Sequence, residues 1–370
     1  MSARKTGSAR VGFVIGDQLR EVRILHPDRP GGGAQGLMRF GWIAAEVNRN
    51  TDGGLRYELY RPWRRYDALV FVKAMGGRNA TLRDRYREAG RATIADVNVN
   101  YFEGGGRYYY EGMETTGTQR GQAVDMVHGC DGVIADSSYL AALCREYNPR
   151  TRWIPDNVNM ALVPPHQPWR PDGGRLPLVW SGQAHKLFEL LAIEDSLRLF
   201  RDRVRLVLVT NDLSGCGRWF KPYRDRFRTL MDIVPNEIIP FESVEQLWRV
   251  YAGTGGVCIS PRFLDNPYNM GHTEWKIALG MACSRVAVCS PVPSYVDVAS
   301  TAQGRGIRVC AAPEDWSRVF DDILSGRIDF GAEEAAARSV IERHYATTVV
   351  ALRHAESVKE ILAFRHGGAS

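Results

Sequence analysis

Short, unbroken apolar runs recur along this chain, separated by segments of helical composition. That alternation narrows the fold more than any other feature. In the first half the runs are Arg10 to Gly16 (RVGFVIG), Tyr57 to Tyr60, Tyr66 to Lys73 (YDALVFVK), Ala92 to Val97 (ATIADV), Gly132 to Asp136 (GVIAD) and Trp153 to Pro155. Leu82 to Ala89, Gln119 to Cys130 and Tyr139 to Tyr147 read as helices between them. A strand that is apolar at nearly every position is buried on both faces, as in a parallel sheet covered by helices. The alternation therefore predicts βαβ units.

The pattern stops between Asn157 and Arg175, where Pro164, Pro165, Pro168, Pro171, Gly173 and Gly174 bar a helix or a central strand. It then restarts. Leu176 to Ser181, Val204 to Thr210, Gly256 to Ser260, Val286 to Cys289 and Ile307 to Cys310 read as strands. Leu187 to Phe200, Ser243 to Tyr251, Glu274 to Cys283 and Pro313 to Leu324 read as helices, and Ala332 to Phe364 is helix-rich. The expected division is a Rossmann-like domain over 1–160, a linker over 161–175, and a second such domain over 176–340. Helices over 341–370 are able to cross back to the first domain. Two doubly wound domains would face a central cleft at the carboxyl edges of their strands, where loop amides and helix N-termini gather ligands.

Composition adds mainly exclusions. The net charge is +6, with lysine only at Lys5, Lys73, Lys186, Lys221, Lys276 and Lys359. That balance suits a phosphate-bearing ligand, an anionic membrane surface or nucleic acid, but no consecutive basic block marks a nucleic-acid tail. The seven cysteines form no Cys-x-x-Cys pair and sit mostly in apolar runs, the pattern of reduced thiols in a cytoplasmic protein. No apolar signal core follows Arg4 and Lys5, and no apolar run nears the ~20 residues that span a bilayer, so membrane contact would be peripheral. Gly-x-Ser-x-Gly, His-Glu-x-x-His and P-loop motifs are all missing.

The most informative stretch is Ile259 to Val298 (ISPRFLDNPYNMGHTEWKIALGMACSRVAVCSPVPSYVDV). A strand, a polar loop containing Asn269 and Gly271, and a helix starting near Thr273 and Glu274 follow in order. Free amides at a helix start can hold a diphosphate. Lys276 adds a point charge, His272 a donor to a phosphate or sugar hydroxyl, and Glu274 an acceptor for ribose or sugar hydroxyls. The plainer account is a helix capped by Thr273 with a favourable acid beside it. Lys186, in the loop after Gly182, is the second expected phosphate contact. On the first domain, Gly33 lies in a glycine run that lets backbone approach a ligand, and Lys73 ends a strand at the carboxyl edge. Asp96, Asn98 and Asn100 alternate after the next strand. Tyr108 to Tyr110 can stack on a sugar or pack in a core.

WKIALGMACSRVAVCSPVPSY resembles the donor-site helix and strand of retaining glycosyltransferases of the two-Rossmann GT-B architecture (group 1, family 4-like). The likeness rests on Lys276, Met281, Ala282, Val286, Val288 and Ser290, with Pro291 to Tyr295 after them. CDGVIADSSYL from Cys130, WIPDNVN from Trp153, VWSGQAHK from Val179 and RSVIERHYATTVVALR from Arg338 resemble further blocks of that family in the same order. One branch carries an arginine-rich run near Arg39 and acidic and Asn residues near Asp96 on the acceptor side. The family's pair of donor-loop glutamates aligns with Gly271 and Leu279, so Glu274 is the candidate substitute.

The resemblance implies transfer of a hexosyl or pentosyl group from a nucleoside-diphosphate sugar, with retention and without a metal or other cofactor. Asp96, Lys186 and Glu274 are the expected catalytic residues. Gly182, Lys186, Asn269, Gly271, His272, Thr273, Glu274 and Lys276 are expected at the donor, and Gly33, Arg39, Lys73, Asn98 and Asn100 at the acceptor. A glycan, lipid-linked or small-molecule acceptor ranks ahead of nucleic acid. The alternatives are a non-catalytic sugar-nucleotide-binding subunit, a sugar-nucleotide epimerase, and a transferase acting on modified DNA bases.

Overall fold

The computed structural model describes residues 8–16, 36–50, 53–169 and 174–367. They build an α/β protein with two parallel six-stranded sheets. The chain divides into two compact units: Met1–Glu103, Thr115–Asn159 and Ala346–Ser370 form the first, and Gly104–Glu114 with Met160–Tyr345 the second.

In the first unit the sheet order is β2-β1-β3-β4-β5-β6, from Leu55–Leu59 through Ala9–Ile15, Ala68–Val72, Ala92–Val97, Gly132–Ala135 and Thr151–Trp153. Every pairing is parallel. Alternate residues feed two cores. Val11, Phe13 and Ile15 face one core, which includes Val350, Val358 and Ile361 of the closing helix Thr347–Gly367. Val14, Leu69 and Phe71 face the other, with Met126 and Val127 of Gly117–Gly129. The closing helix lies so near β5 that a Cβ on Gly132 would sit 2.4 Å from the Ile361 side chain. His354 of that helix is buried, with Nδ1 2.9 Å from the Tyr57 hydroxyl. Residues 36–49, where the sequence pattern suggested no element, are helical: a π-helical turn Leu37–Gly41 runs into Trp42–Arg49.

The second sheet runs β12-β11-β10-β7-β8-β9, from Ile307–Val309 through Val286–Cys289, Val257–Ser260, Leu176–Gly182, Val204–Thr210 and Asn236–Pro240. The direction of progression reverses between β7 and β10. Leu187 to Phe200, expected as one amphipathic helix, is a 3-10 helix Ala184–Ile193 followed by Glu194–Leu199. Helices Lys221–Ile233 and Pro293–Thr301 and strand β9 were not anticipated.

Gly104–Glu114 lies in sequence between β4 and the next helix of the first unit, yet it completes the core of the second. The Tyr109 ring stacks on Phe263 at 4.5 Å and on Phe188 at 5.0 Å, and its hydroxyl donates to Asp265 Oδ2 at 2.5 Å. Arg107 N donates to Asp265 O at 2.9 Å, and Tyr110 bridges to Trp219. Gly106 is held at φ 96°, and a Cβ there would come within 2.4 Å of Asp265 O. Tyr109 and Tyr110 are therefore core residues in this structure. Among the described residues no helix is long and apolar enough to cross a membrane.

Candidate functional site

Parallel sheets present ligand sites at their carboxyl edges, above all where the strand order reverses. The two edges of this protein carry different chemistry.

In the first unit, the edge is filled by side chains that the strands deliver together. Asp96 ends β4, Asp136 follows β5, Asp156 lies beyond β6, and Arg39 enters from the π-helical turn. Arg39 is fully buried. Its Nη2 lies 2.8 Å from Asp96 Oδ2, its Nε 3.1 Å from Asp96 Oδ1, and its Nη1 reaches Ile154 O at 3.1 Å and Asp156 Oδ1 at 3.3 Å. Burial opposes its charge, but Asp96 and Asp156 outweigh burial and hold the guanidinium protonated, its pKa raised. Arg39, expected on the acceptor side, has all three of its nitrogens engaged within the protein. Asp96, expected as catalytic, has both oxygens on Arg39 and acts as its counter-ion.

Asp136 was missed by the sequence reading, since nothing in ADSSYL marks it. It is buried, and neither of its oxygens has a hydrogen-bond partner among the described residues. Burial, followed by the charge of Asp156, pushes its carboxyl well above the usual range. Lys73 follows β3 in the left-handed region at φ 47°, and its charge favours the ionised forms of Asp96 and Asp136. A small cavity touches Lys73, Asp96 and Asn98. Asn98 is buried with both polar side-chain atoms unpartnered among the described residues, whereas Asn100 is spent on its own turn, accepting from Phe102 N at 3.1 Å. Gly33 lies outside the described residues.

In the second unit, the reversal point gathers cations. Gly182 ends β7, and a Cβ on it would lie 2.8 Å from Lys276 Nζ, so the glycine makes room for that ammonium. Lys276 enters from helix Trp275–Ala282 and sits 4.5 Å from the centre of the Trp180 ring. The residue is half-buried, but its Nζ is shut off from solvent and without a hydrogen-bond acceptor among the described residues. Burial, with the charge of Arg262 next, holds its pKa well below the ordinary lysine value. Arg262, which follows β10, is buried against Glu189, with Nη1 2.5 and 2.6 Å from the two carboxylate oxygens. Lys186 Nζ lies 3.2 Å from His272 Nε2 and 5.1 Å from the Tyr268 ring centre. Burial works against ionisation of Tyr268, but Lys186 and Arg262 outweigh it and lower its pKa. His185 is pushed down to about 4 by burial and by Lys186.

The structure thus brings together Gly182, Lys186, His272 and Lys276. The rest of the expected donor loop supports them. Asn269 is buried, with Nδ2 on Phe263 O at 2.7 Å and Oδ1 unpartnered among the described residues. Gly271 N closes on Pro267 O at 3.0 Å. Thr273 Oγ1 accepts from Trp275 N at 3.4 Å, and Glu274, buried, sits at the helix N-cap without capping it through its side chain. Sequence reasoning missed Trp180, Glu189, Arg262 and Tyr268. Arg262 in SPRF was the one legible signal, a basic residue just past the end of a buried strand. Among the described residues no group of three or more His, Cys, Asp or Glu side chains is placed to hold a metal ion.

Two parallel sheets of this order define the class: the fold is GT-B, the architecture of a large set of glycosyltransferases. Among solved structures, Anabaena HepE in complex with UDP and glucose superposes with a TM-score of 0.64 at 10% identity, over 95% of this chain and 100% of its own. Sucrose-phosphate synthase from Thermosynechococcus elongatus gives 0.66 at 13% identity, over 96% and 99%. A glycosyltransferase from Rickettsia africae gives 0.61 at 10%, over 96% and 99%. At these identities the likeness establishes the fold. No family model matches the sequence, and no curated protein matches it.

Proposed function

We propose that this protein is a glycosyltransferase that takes a sugar from a nucleoside-diphosphate donor bound at the carboxyl edge of the second sheet. The observation that carries this reading is Lys276: a buried ammonium with no acceptor among the described residues, at the strand-order reversal of a GT-B fold. An unpaired buried charge is costly, and an anion beside it removes the cost. Lys186 and Arg262 add positive potential, with Glu189 paired to Arg262. HepE has been solved with UDP-glucose as well as with UDP, which makes uridine diphosphate the first donor to try.

The chemistry follows from charge. Breaking the sugar–phosphate bond develops positive charge on the anomeric carbon and negative charge on the departing diphosphate. Groups that bind the developing anion more strongly than the ground state accelerate the step. In this reading Lys276 and Lys186 hold the leaving diphosphate, while Glu274 accepts a hydrogen bond from the sugar. Transfer is metal-independent and retains configuration, the diphosphate taking the acceptor's proton. Asn98 and Lys73, at the other sheet's edge, meet the acceptor; Arg39 and Asp96 hold that edge together from inside. The acceptor is a glycan, a lipid-linked saccharide or a small molecule.

Thermal melting with UDP, GDP, ADP and their glucose conjugates tests the site, because a ligand bound only by the folded state raises Tm. A radiolabelled donor then separates transfer, hydrolysis and epimerisation by product. Failure of every nucleoside diphosphate to raise Tm would sink the proposal.

A further inference from the structure

Residues 56–91 hold ten arginines and lysines against four carboxylates, a net +6 that equals the net charge of the entire chain. No run of consecutive basic residues announces this, because the charges are spread over a strand end, a turn and a helix. Several are neutralised in place: Arg64 by Glu58 at 2.5 Å, Arg91 by Asp67 at 3.1 Å, and Arg83 by Asp84 and Asp125. Arg61, Arg65, Arg78 and Arg85 are exposed and have no carboxylate partner among the described residues.

The fold sets two of these arginines, Arg61 and Arg85, beside an aromatic platform. Strand β2 ends at Leu59, and the turn Arg61-Pro62-Trp63-Arg64-Arg65 leads back towards β3. Beneath it, Tyr60 packs on Tyr66 at 5.6 Å and on Tyr86 at 6.4 Å, and Tyr86 belongs to helix Gly77–Glu88, the helix that carries Arg78 and Arg85. Arg61 N donates to the Tyr66 hydroxyl at 3.0 Å, which pins the turn to the platform. On that pinned turn Trp63 stands 78% exposed, the most exposed large apolar side chain among the described residues.

We propose that this turn and the adjoining helix form a docking surface for an anionic lipid bilayer. An indole rests favourably at the headgroup level, where its ring meets apolar chains and its N–H stays wet. Arginines around it face lipid phosphates, and each basic residue near an anionic surface strengthens binding about fivefold. A single-stranded nucleic acid would need successive exposed rings to stack its bases. Here the tyrosines lie under the turn and only the indole projects. The inference is independent of the donor reading, since neither the turn nor the helix contributes to the site of the second unit.

Vesicle co-sedimentation of the full chain tests it, with phosphatidylcholine alone and with phosphatidylcholine containing one third phosphatidylglycerol. Binding is expected only to the second vesicle and should weaken as salt rises. Arg61→Ala/Arg65→Ala should lower partitioning about 25-fold at low salt, and Trp63→Ser severalfold. Arg228→Glu, at an exposed arginine of the second unit, should do less than either. Equal melting temperatures for all variants would exclude misfolding as the cause. The proposal falls if the wild type ignores phosphatidylglycerol vesicles, binds both vesicles alike, or loses nothing with Trp63→Ser. It also falls if a single-stranded oligonucleotide binds more tightly than the vesicles and depends on Trp63, which would make the surface a nucleic-acid site.

Discussion

Both sheets are six parallel strands, ordered 2-1-3-4-5-6 in the first unit and, counted from β7, 3-2-1-4-5-6 in the second, and they differ in the charge at their carboxyl edges. At the first edge Asp96 and Asp156 hold one buried guanidinium, with Asp136 and Lys73 beside them, and the charges are matched within the protein. At the second, Arg262 pairs with Glu189 while Lys276 and Lys186 stand close by without a carboxylate of their own among the described residues, and the excess is basic. The same strand grammar thus builds one edge whose arginine is satisfied from within and one that is short of an anion. What separates them is which charged side chains the strand ends, loops and helices deliver to each edge.

Substitutions can break that contrast, and the largest effect is expected at the satisfied edge. Arg39→Met strands two buried carboxylates and should cost about 3–5 kcal/mol in urea unfolding. Adding Asp96→Asn should return part of the loss. A cost below about 1 kcal/mol would mean that the ion pair is not what closes this edge. At the basic edge the same kind of change should behave oppositely. Lys276→Met removes a buried amine that has no acceptor among the described residues, so unfolding stability should stay level or rise. Affinity for the stabilising nucleoside diphosphate should fall about 10- to 100-fold by titration calorimetry. Because Lys276 has a lowered pKa that a neighbouring phosphate would raise, the wild type should take up a proton on binding. Calorimetry in two buffers of different ionisation enthalpy reads that proton, and Lys276→Met should abolish it.

His354 sharpens the comparison through pH. Burial, with the charge of Arg39 next, pushes its pKa down to about 3. The unfolded chain therefore takes up the proton first, and stability is lost as pH falls from about 6.5 towards 3. The loss from this group should reach about 2–3 kcal/mol at pH 4.5. His354→Phe should flatten the wild-type slope in that window, and parallel slopes would refute the assignment. Asp136 should give an effect of the opposite sign. Its raised pKa means the folded state keeps a proton that the unfolded chain releases, so stability declines as pH rises above the ordinary carboxylate range. Asp136→Asn should therefore gain more Tm at pH 8 than at pH 4.

Much of the fold was legible because a parallel strand is written locally. Ala92–Val97, Val204–Thr210 and Val286–Cys289 lie where unbroken apolar runs stand in the sequence. Asn236–Pro240 escaped because it is the edge strand and mostly exposed, so its residues carry no apolar run. Of the candidate site, Lys186, His272 and Lys276 could be read from their positions at strand and helix ends. Pairings over long sequence distances could not. Arg39 and Asp96 are 57 residues apart, and Arg262 and Glu189 are 73 apart. Viewed singly, Arg39 and Asp96 looked like groups awaiting a ligand, and Glu189 and Arg262 did not stand out, because each one's partner is far away in sequence. Tyr109 was ambiguous for the same reason, since its slot between Phe188 and Phe263 is assembled from sequence some 80 to 150 residues downstream.

The path of Gly104–Glu114 means that no single cut yields two self-sufficient pieces. A fragment beginning at Met160 would lack Tyr109 and Tyr110 and leave Phe188, Phe263 and Trp219 with a vacant aromatic groove. Such a fragment should aggregate when expressed alone and recover solubility when an eleven-residue peptide spanning Gly104–Glu114 is supplied in trans. Ribosomal synthesis imposes the matching order: this peptide emerges early and must wait for the body it completes.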